Sequence, residues 1–261
     1  MTDRPPFLSV TVGATPEEVW RSLRDPERIG RWFGWEHPGL EDEIALIFHG
    51  RVPEGVELPE GLDTAIEVDE EGRTLRSGAH RIEVVAGAAG AAGAAGAVVR
   101  VTRVIDVGDD GWEVFHTEID HIEEGWITFF QTLAFAAAHH PDEPRRTVSG
   151  MGLLPGTDPW ATLGLPPLDQ LVPGQPYTAT LATGDVLAGT VWFRSAHQVG
   201  LTVTGWGDGL LVAAAMPGGT EEATPAMAIA STYGLADDAL AALAERWAAW
   251  WAATAVTPPE G

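Results

Sequence analysis

Residues 7–14 (FLSVTVGA) set Leu8, Val10 and Val12 against Ser9 and Thr11, the two-residue period of a strand with one buried face. Thr15, Pro16 and Glu18 follow as a capping box with proline at the first helical position, opening a helix that carries Val19, Trp20 and Leu23 and ends near Asp25-Pro26. Ile29, Trp32, Phe33 and Trp35 then crowd into a segment that suits only a short helix lying across something apolar. Strands are expected over 44–51 (IALIFHGR), 62–68, 73–85, 98–107 and 112–119, with turns at Glu70-Glu71-Gly72 and at 108–111 (GDDG). The run AGAAGAAGAAGA at 86–97 has glycine at every third place and no large side chain, so it reads as a flexible connection between strands. Residues 123–140 form a long helix whose stripe is Trp126, Phe129, Phe130, Leu133 and Ala137.

Beyond it, 141–176 is rich in proline and poor in periodicity, apart from a short helix that Thr157 or Asp158 would cap ahead of Pro159. Five short strands follow at 177–182, 186–194, 199–204, 210–215 and 226–232, with hairpin turns at Thr183-Gly184-Asp185 and Gly207-Asp208-Gly209. The last helix, 237–253, places Leu240, Leu243, Trp247, Trp250 and Trp251 on one stripe behind an acidic first turn. Glu124, Trp126, Phe129 and Phe130 share their spacing with Glu245, Trp247, Trp250 and Trp251, and each set closes a run of strands. The fold class is therefore α+β, with domains at 1–140 and 177–261, a linker at 141–176, and Trp126 and Trp247 in equivalent places.

The opening strand and capped helix, with PEEVWRSLRDPERIGRWFG, resemble the polyketide cyclase/START-like (SRPBCC) superfamily, and within it the bacterial homologues of the heat-shock-protein ATPase activator. The resemblance implies a helix-grip fold, in which a curved antiparallel sheet wraps a long C-terminal helix around an apolar cavity. Gly125-Trp126 stands where that family commonly opens its last helix. The second domain is then a START-like unit shortened at its beginning, where neither a full first strand nor a long first helix is evident.

Composition narrows the chemistry. The 261 residues contain no cysteine, which removes thiol catalysis and Cys-ligated zinc, and no lysine, which removes Schiff-base catalysis. All 15 basic residues are arginine, and a net charge of −23 opposes phosphate backbones and anionic membranes. Nucleic acid and membrane are thus not expected partners, and with no signal-like start or apolar span the chain reads as cytoplasmic. His116, Glu118 and His121 have poor spacing for three metal ligands, so no metal or other cofactor is expected, and Ser195 and His197 lack a nucleophile elbow. His139 and His140 fit the last carbonyls of their helix.

Ligand cavities are mostly apolar, with a few orienting polar groups. Trp32, Phe33 and Trp35, Phe48 on a strand, and Phe129 and Phe130 on the long helix are the candidate lining, with His49, Arg51, His116 and Glu118 as orienting groups. No catalytic residue is assigned. The leading expectation is non-enzymatic binding of a small apolar or aromatic molecule; the alternatives are an aromatase/cyclase-type enzyme and a chaperone-cofactor-like protein-interaction module with an unidentified protein partner. A paired acid and base in the cavity would favour the enzyme, and an exposed apolar sheet face the interaction module.

Overall fold

The computed structural model describes residues 5–55, 65–87, 96–104, 112–216 and 218–256, and for 112–121 the backbone alone. It is an α+β protein with two antiparallel sheets and six α-helices among these residues. The chain divides into two compact units, 1–112 with 129–141 and 113–128 with 142–261.

The first unit opens with β1 (Leu8–Val12), whose burial alternates as the sequence predicts. Thr15 caps α1 (Pro16–Arg24): its side chain accepts from the Glu18 N–H, and the Glu18 carboxylate accepts from the Thr15 N–H. Loss of such a cap costs about 1 kcal/mol. Asp25 ends α1 and caps α2 (Pro26–Ile29). The stretch expected as a strand at 44–51 is helical instead, α3 (Leu40–His49). Glu41, Asp42 and Glu43 face the positive end of this helix, and Gly50 closes it at φ 65°, a left-handed conformation that costs glycine little. β2 (Ile66–Asp69), β3 (Thr74–Ser77), β4 (His80–Ala86) and β5 (Ala97–Arg103) complete the sheet in the order β1-β5-β4-β3-β2. The expected strand 73–85 is thus two strands, broken at Gly78. The alanine–glycine run connects β4 to β5, with Gly87 N–H donating to the Gly96 carbonyl; its residues 88–95 lie outside the described residues.

Helix α4 (Trp112–His139) absorbs the segment 112–119, which was expected as a strand. Its residues 129–139 belong to the first unit and 113–128 to the second. Trp126 and Trp247 therefore both fall in the second unit and are not counterparts, because the shared spacing reports only that each helix has an aromatic stripe.

In the second unit, 145–155 of the expected linker form an eleven-residue strand, β6 (Arg145–Pro155), so the unit has the full first strand that its sequence conceals. α5 (Pro159–Leu163) follows, capped by Asp158. β7 (Pro176–Thr180), β8 (Val186–Arg194), β9 (Gln198–Val203), β10 (Gly209–Ala215) and β11 (Ala223–Tyr233) build the sheet β6-β11-β10-β9-β8-β7, and α6 (Asp237–Thr254) ends the chain's regular structure. Both sheets share one wiring: the first strand lies beside the last, and the intervening strands form a meander leading away from it.

Trp247 and Trp251 of α6 pack on a floor of small residues, Ala213, Ala228 and Ala230. A Cβ at Gly150 of β6 would run into the Trp251 indole. Gly150→Ala is therefore expected to destabilise the protein by about 1–3 kcal/mol through overpacking, read as a lower urea midpoint with an unchanged slope.

Candidate functional site

Three elements of the first unit bring their aromatic rings together. Trp32 and Phe33 follow α2, Phe48 sits in the last turn of α3 rather than on a strand, and Phe129 and Phe130 lie on α4. Trp32 stacks on Phe130 with centroids 5.5 Å apart, and its indole N–H donates to the Ser22 carbonyl at 3.0 Å. Phe33 meets Phe48 edge-on at 5.0 Å and Phe129 at 4.5 Å. Trp32, Phe33, Phe48 and Phe130 are buried, whereas Phe129 is half-buried and forms the rim. Such ring pairs add about 0.5–1.5 kcal/mol each beyond the area they bury.

The other expected lining residues are placed differently. Trp35 is half-buried and packs against His37, 5.9 Å away, whose Nε2 is 3.2 Å from Glu43. Arg51 is exposed, its backbone N–H donating to the Ala45 carbonyl. The side chains of His116, Glu118 and His121 lie outside the described residues.

His49, next to Phe48, is the polar group of most interest. Its ring is partly exposed, yet its Nε2 is sealed from solvent and has no hydrogen-bond partner among the described residues. Leaving a buried polar atom in that state costs about 1–3 kcal/mol. Burial first, and then the Arg24 and Arg51 guanidinium groups, hold the imidazole below its ordinary pKa. Arg24 itself is engaged, donating to the Phe48 carbonyl at 3.0 Å and pairing with Glu70, which also accepts from the Trp20 indole.

The second unit holds two polar constellations that the sequence does not announce. Asp185, in the turn between β7 and β8, accepts from the Trp247 indole N–H at 3.0 Å, from the Thr183 hydroxyl at 2.6 Å and from Arg246 at 2.7 Å. On the sheet face opposite the α6 core, the fully buried Gln198 of β9 donates to the Glu124 carbonyl at 2.7 Å and to the Glu124 carboxylate. The same amide accepts from the Thr128 hydroxyl at 2.6 Å. These groups are fully engaged in fastening α6 and α4, which is a structural task. Burial pushes the Tyr233 phenol up to about 12, keeping it neutral. Tyr177 is also raised by burial and donates to the Thr202 carbonyl.

Voids follow the same division. Beneath α6, nine residues including Leu163, Thr183, Ala228, Trp247 and Trp251 surround about 10 Å³, barely the roughly 10–15 Å³ that one water needs. A hollow of about 420 Å³ on the first sheet mixes Val68 and Val104 with Glu67, Asp69, Arg76 and Arg81, and Arg76 and Glu67 are paired at 3.2 Å. Among the described residues, no three His, Asp or Glu side chains gather as a metal site, and no helix is long and apolar enough to cross a membrane.

Fold and site together describe an α+β protein of two sheet-and-helix units with a ring cluster in the first. No protein-family model matches the chain, and no curated protein matches it. The crystal structure of DynU16, a protein of the dynemicin biosynthetic locus, aligns at 15% identity over 94% of this chain and 93% of its own, with a TM-score of 0.23. A likeness at that score carries no weight for fold or chemistry.

Two outcomes are expected. Asp185→Ala should lose about 2–4 kcal/mol of stability, because a buried indole donor and an arginine lose their shared acceptor; urea denaturation at neutral pH measures this. His49 is harder to protonate folded than unfolded, so the stability tied to its neutral form is complete above about 6.5 and lost as pH falls below it. Melting temperature should accordingly fall less steeply from pH 7.5 to 5 in His49→Leu than in the parent chain.

Proposed function

We propose that the chain is a tandem START-like protein whose first unit binds a small apolar or aromatic molecule without transforming it. The tandem reading rests on the wiring common to both sheets, first strand beside last and a helix after the last strand. The family likeness of 7–35 agrees with it. On this reading 1–140 is the binding domain and 177–261 belongs to a second unit that also takes in β6. The likeness to the heat-shock ATPase activator gains nothing from the comparisons. The outward face of the first sheet carries Ser9, Thr74, Arg76, Arg81, Glu83 and Arg100 around a Val85–Val98 pair, which is not the continuous apolar face that an interaction module would offer.

The observation that carries the binding reading is the convergence of five rings from three separate elements, with Phe129 left half-buried at the rim. Rings on separate elements can part by small shifts of those elements, and a flat apolar guest would replace ring–ring contacts with ring–guest contacts at little cost. The second unit suits this task less, since the tryptophans of α6 already fill the space between helix and sheet to within about 10 Å³. A lining of aromatic side chains supports a binder better than a catalyst, which needs a paired acid and base.

An apolar naphthalene-type probe should quench part of the tryptophan fluorescence of the full chain, and Trp32→Phe should remove that part. Phe129→Asp should weaken probe binding by at least about tenfold, since an unpaired carboxylate at the rim must be desolvated. Quenching unchanged in both variants, or turnover of a poly-ketone by the parent chain, would show the reading wrong.

A further inference from the structure

We propose that the outer edge of β6 is a docking site for an extended, basic segment of another protein, which adds to the second sheet as a further antiparallel strand. This goes beyond the ligand reading of the first unit and stands independently of it.

Alternate residues of a strand turn their backbone groups toward opposite edges. Leu153 presents its carbonyl outward, where it accepts from the Val256 N–H at 2.8 Å, so Met151 and Ser149 present theirs outward as well. The Gly156 N–H donates to the Glu222 carbonyl at 2.7 Å, which turns the even-numbered residues toward β11 and leaves Pro155, with no N–H to give, in the outward set. The outward groups of Ser149 and Met151 make no hydrogen bond with any described residue. Proteins blunt such edges with charge, proline or a cover. Here the edge runs through Gly150 and Gly152, and the side chain between them, Met151, is 51% exposed, while Met227 opposite it on β11 is buried. Val256 shows the sense in which a chain pairs with this edge, antiparallel, and its bridge to Leu153 is isolated.

Charge selects the occupant. Where Val256 meets Leu153 a hollow of about 630 Å³ opens, lined also by Thr220, Glu221 and Glu222 from the hairpin between β10 and β11. Its lining holds two carboxylates and no cation, and neither carboxylate has an ion-pair partner among the described residues. A second copy of the chain would bring a net charge of −23 against −23 and the same two carboxylates. The chain's own TPPEG at 257–261 is equally unsuited, because proline has no N–H to give and Glu260 adds another carboxylate. A strand antiparallel to β6 begins at the Leu153 end, so the residues that precede it lie at the hollow. The fitting sequence is therefore a pair of basic residues immediately before a stretch that alternates apolar and small polar residues. The basic side chains meet Glu221 and Glu222, and the apolar ones lie beside Met151.

The test titrates the full chain into labelled, end-blocked peptides and reads fluorescence anisotropy. RRVTVTV should bind at least about fivefold more tightly than EEVTVTV or the reversed order VTVTVRR. The preference over EEVTVTV should shrink in the double variant Glu221→Gln, Glu222→Gln, which alters exposed side chains alone. N-methylation of one alternate set of amides in RRVTVTV should abolish binding and methylation of the other set should leave it, because only one edge of the peptide pairs. At saturation, hydrogen exchange of the Ser149 and Met151 amides should slow by about tenfold or more. No binding of RRVTVTV at about 1 mM, equal binding of the three peptides, or a preference that survives the double variant overturns the proposal. Equal loss from both methylated sets, or slowed exchange that spares Ser149 and Met151, overturns it too. None of these outcomes bears on ligand binding by the first unit.

Discussion

Each sheet depends on a pairing between its two sequence extremes. Leu8–Val12 lies antiparallel to Ala97–Val101, and the whole of β6 lies against the whole of β11 in unbroken register. Once first and last strands are neighbours, the meander must begin at the far edge, so the chain after the first strand has to cross the full width of the sheet. That crossing is made by α1, α2 and α3 in one unit and by α5 with its flanking turns in the other. Backbone amides dragged across an apolar face without internal partners would be costly, which is why the crossing is helical or tightly turned. The crossing also sets Trp32, Phe33 and Phe48 over the first sheet, where they meet Phe129 and Phe130.

The two units use their aromatic residues in opposite ways. In the second, large rings on α6 press into a floor of alanine and glycine, and the indole N–H of Trp247 is tied off at Asp185. Gln198 does the same work on the other face of that sheet, where β10 is buried on both sides and reads as an almost continuous apolar run. A surface filled on both faces and satisfied at its polar points is a scaffold. In the first unit the rings meet one another instead of a small-residue floor, one of them is half open to solvent, and a neighbouring imidazole nitrogen is buried without a partner among the described residues. Contacts between rings are exchangeable in a way that contacts between a ring and a close-fitting backbone are not.

Arginine is the only cation in the chain, and its placement shows how an acidic protein keeps its few positive charges occupied. Arg24 is tied to Glu70 and the Phe48 carbonyl, Arg246 to Asp185, Arg194 to the Leu168 and Asp169 carbonyls. Planar guanidinium groups can hold two acceptors at once, which suits a role as bracket between elements. Arg51, exposed beyond the end of α3, differs in having its charge near a group that is itself uncommitted, the ring of His49.

What the sequence determined by itself is whatever is decided within a few residues. The alternation of β1, the capping box at Thr15, the cap and proline that open α5, the turns at 183–185 and 207–209 and the stripe of α6 all rest on neighbours in the chain, and all were legible. The errors share one cause. IALIFH at 44–49 and WEVFHTEI at 112–119 are short apolar runs compatible with strand or helix, and only their place in the crossing and in α4 decides between the two. RRTVSGMGLLP at 145–155 has too little apolar periodicity to read as a strand, because its small residues answer to Trp251, about a hundred positions away, rather than to its own neighbours. The ring cluster was half legible: the residue types could be picked out, but that Phe48 reaches it from a helix while Arg51 turns to solvent depends on how α3 is laid across the sheet. Asp185, Gln198 and the buried nitrogen of His49 gave no local signal at all, since what a polar atom meets when it is buried is set by elements that only the folded chain brings to it.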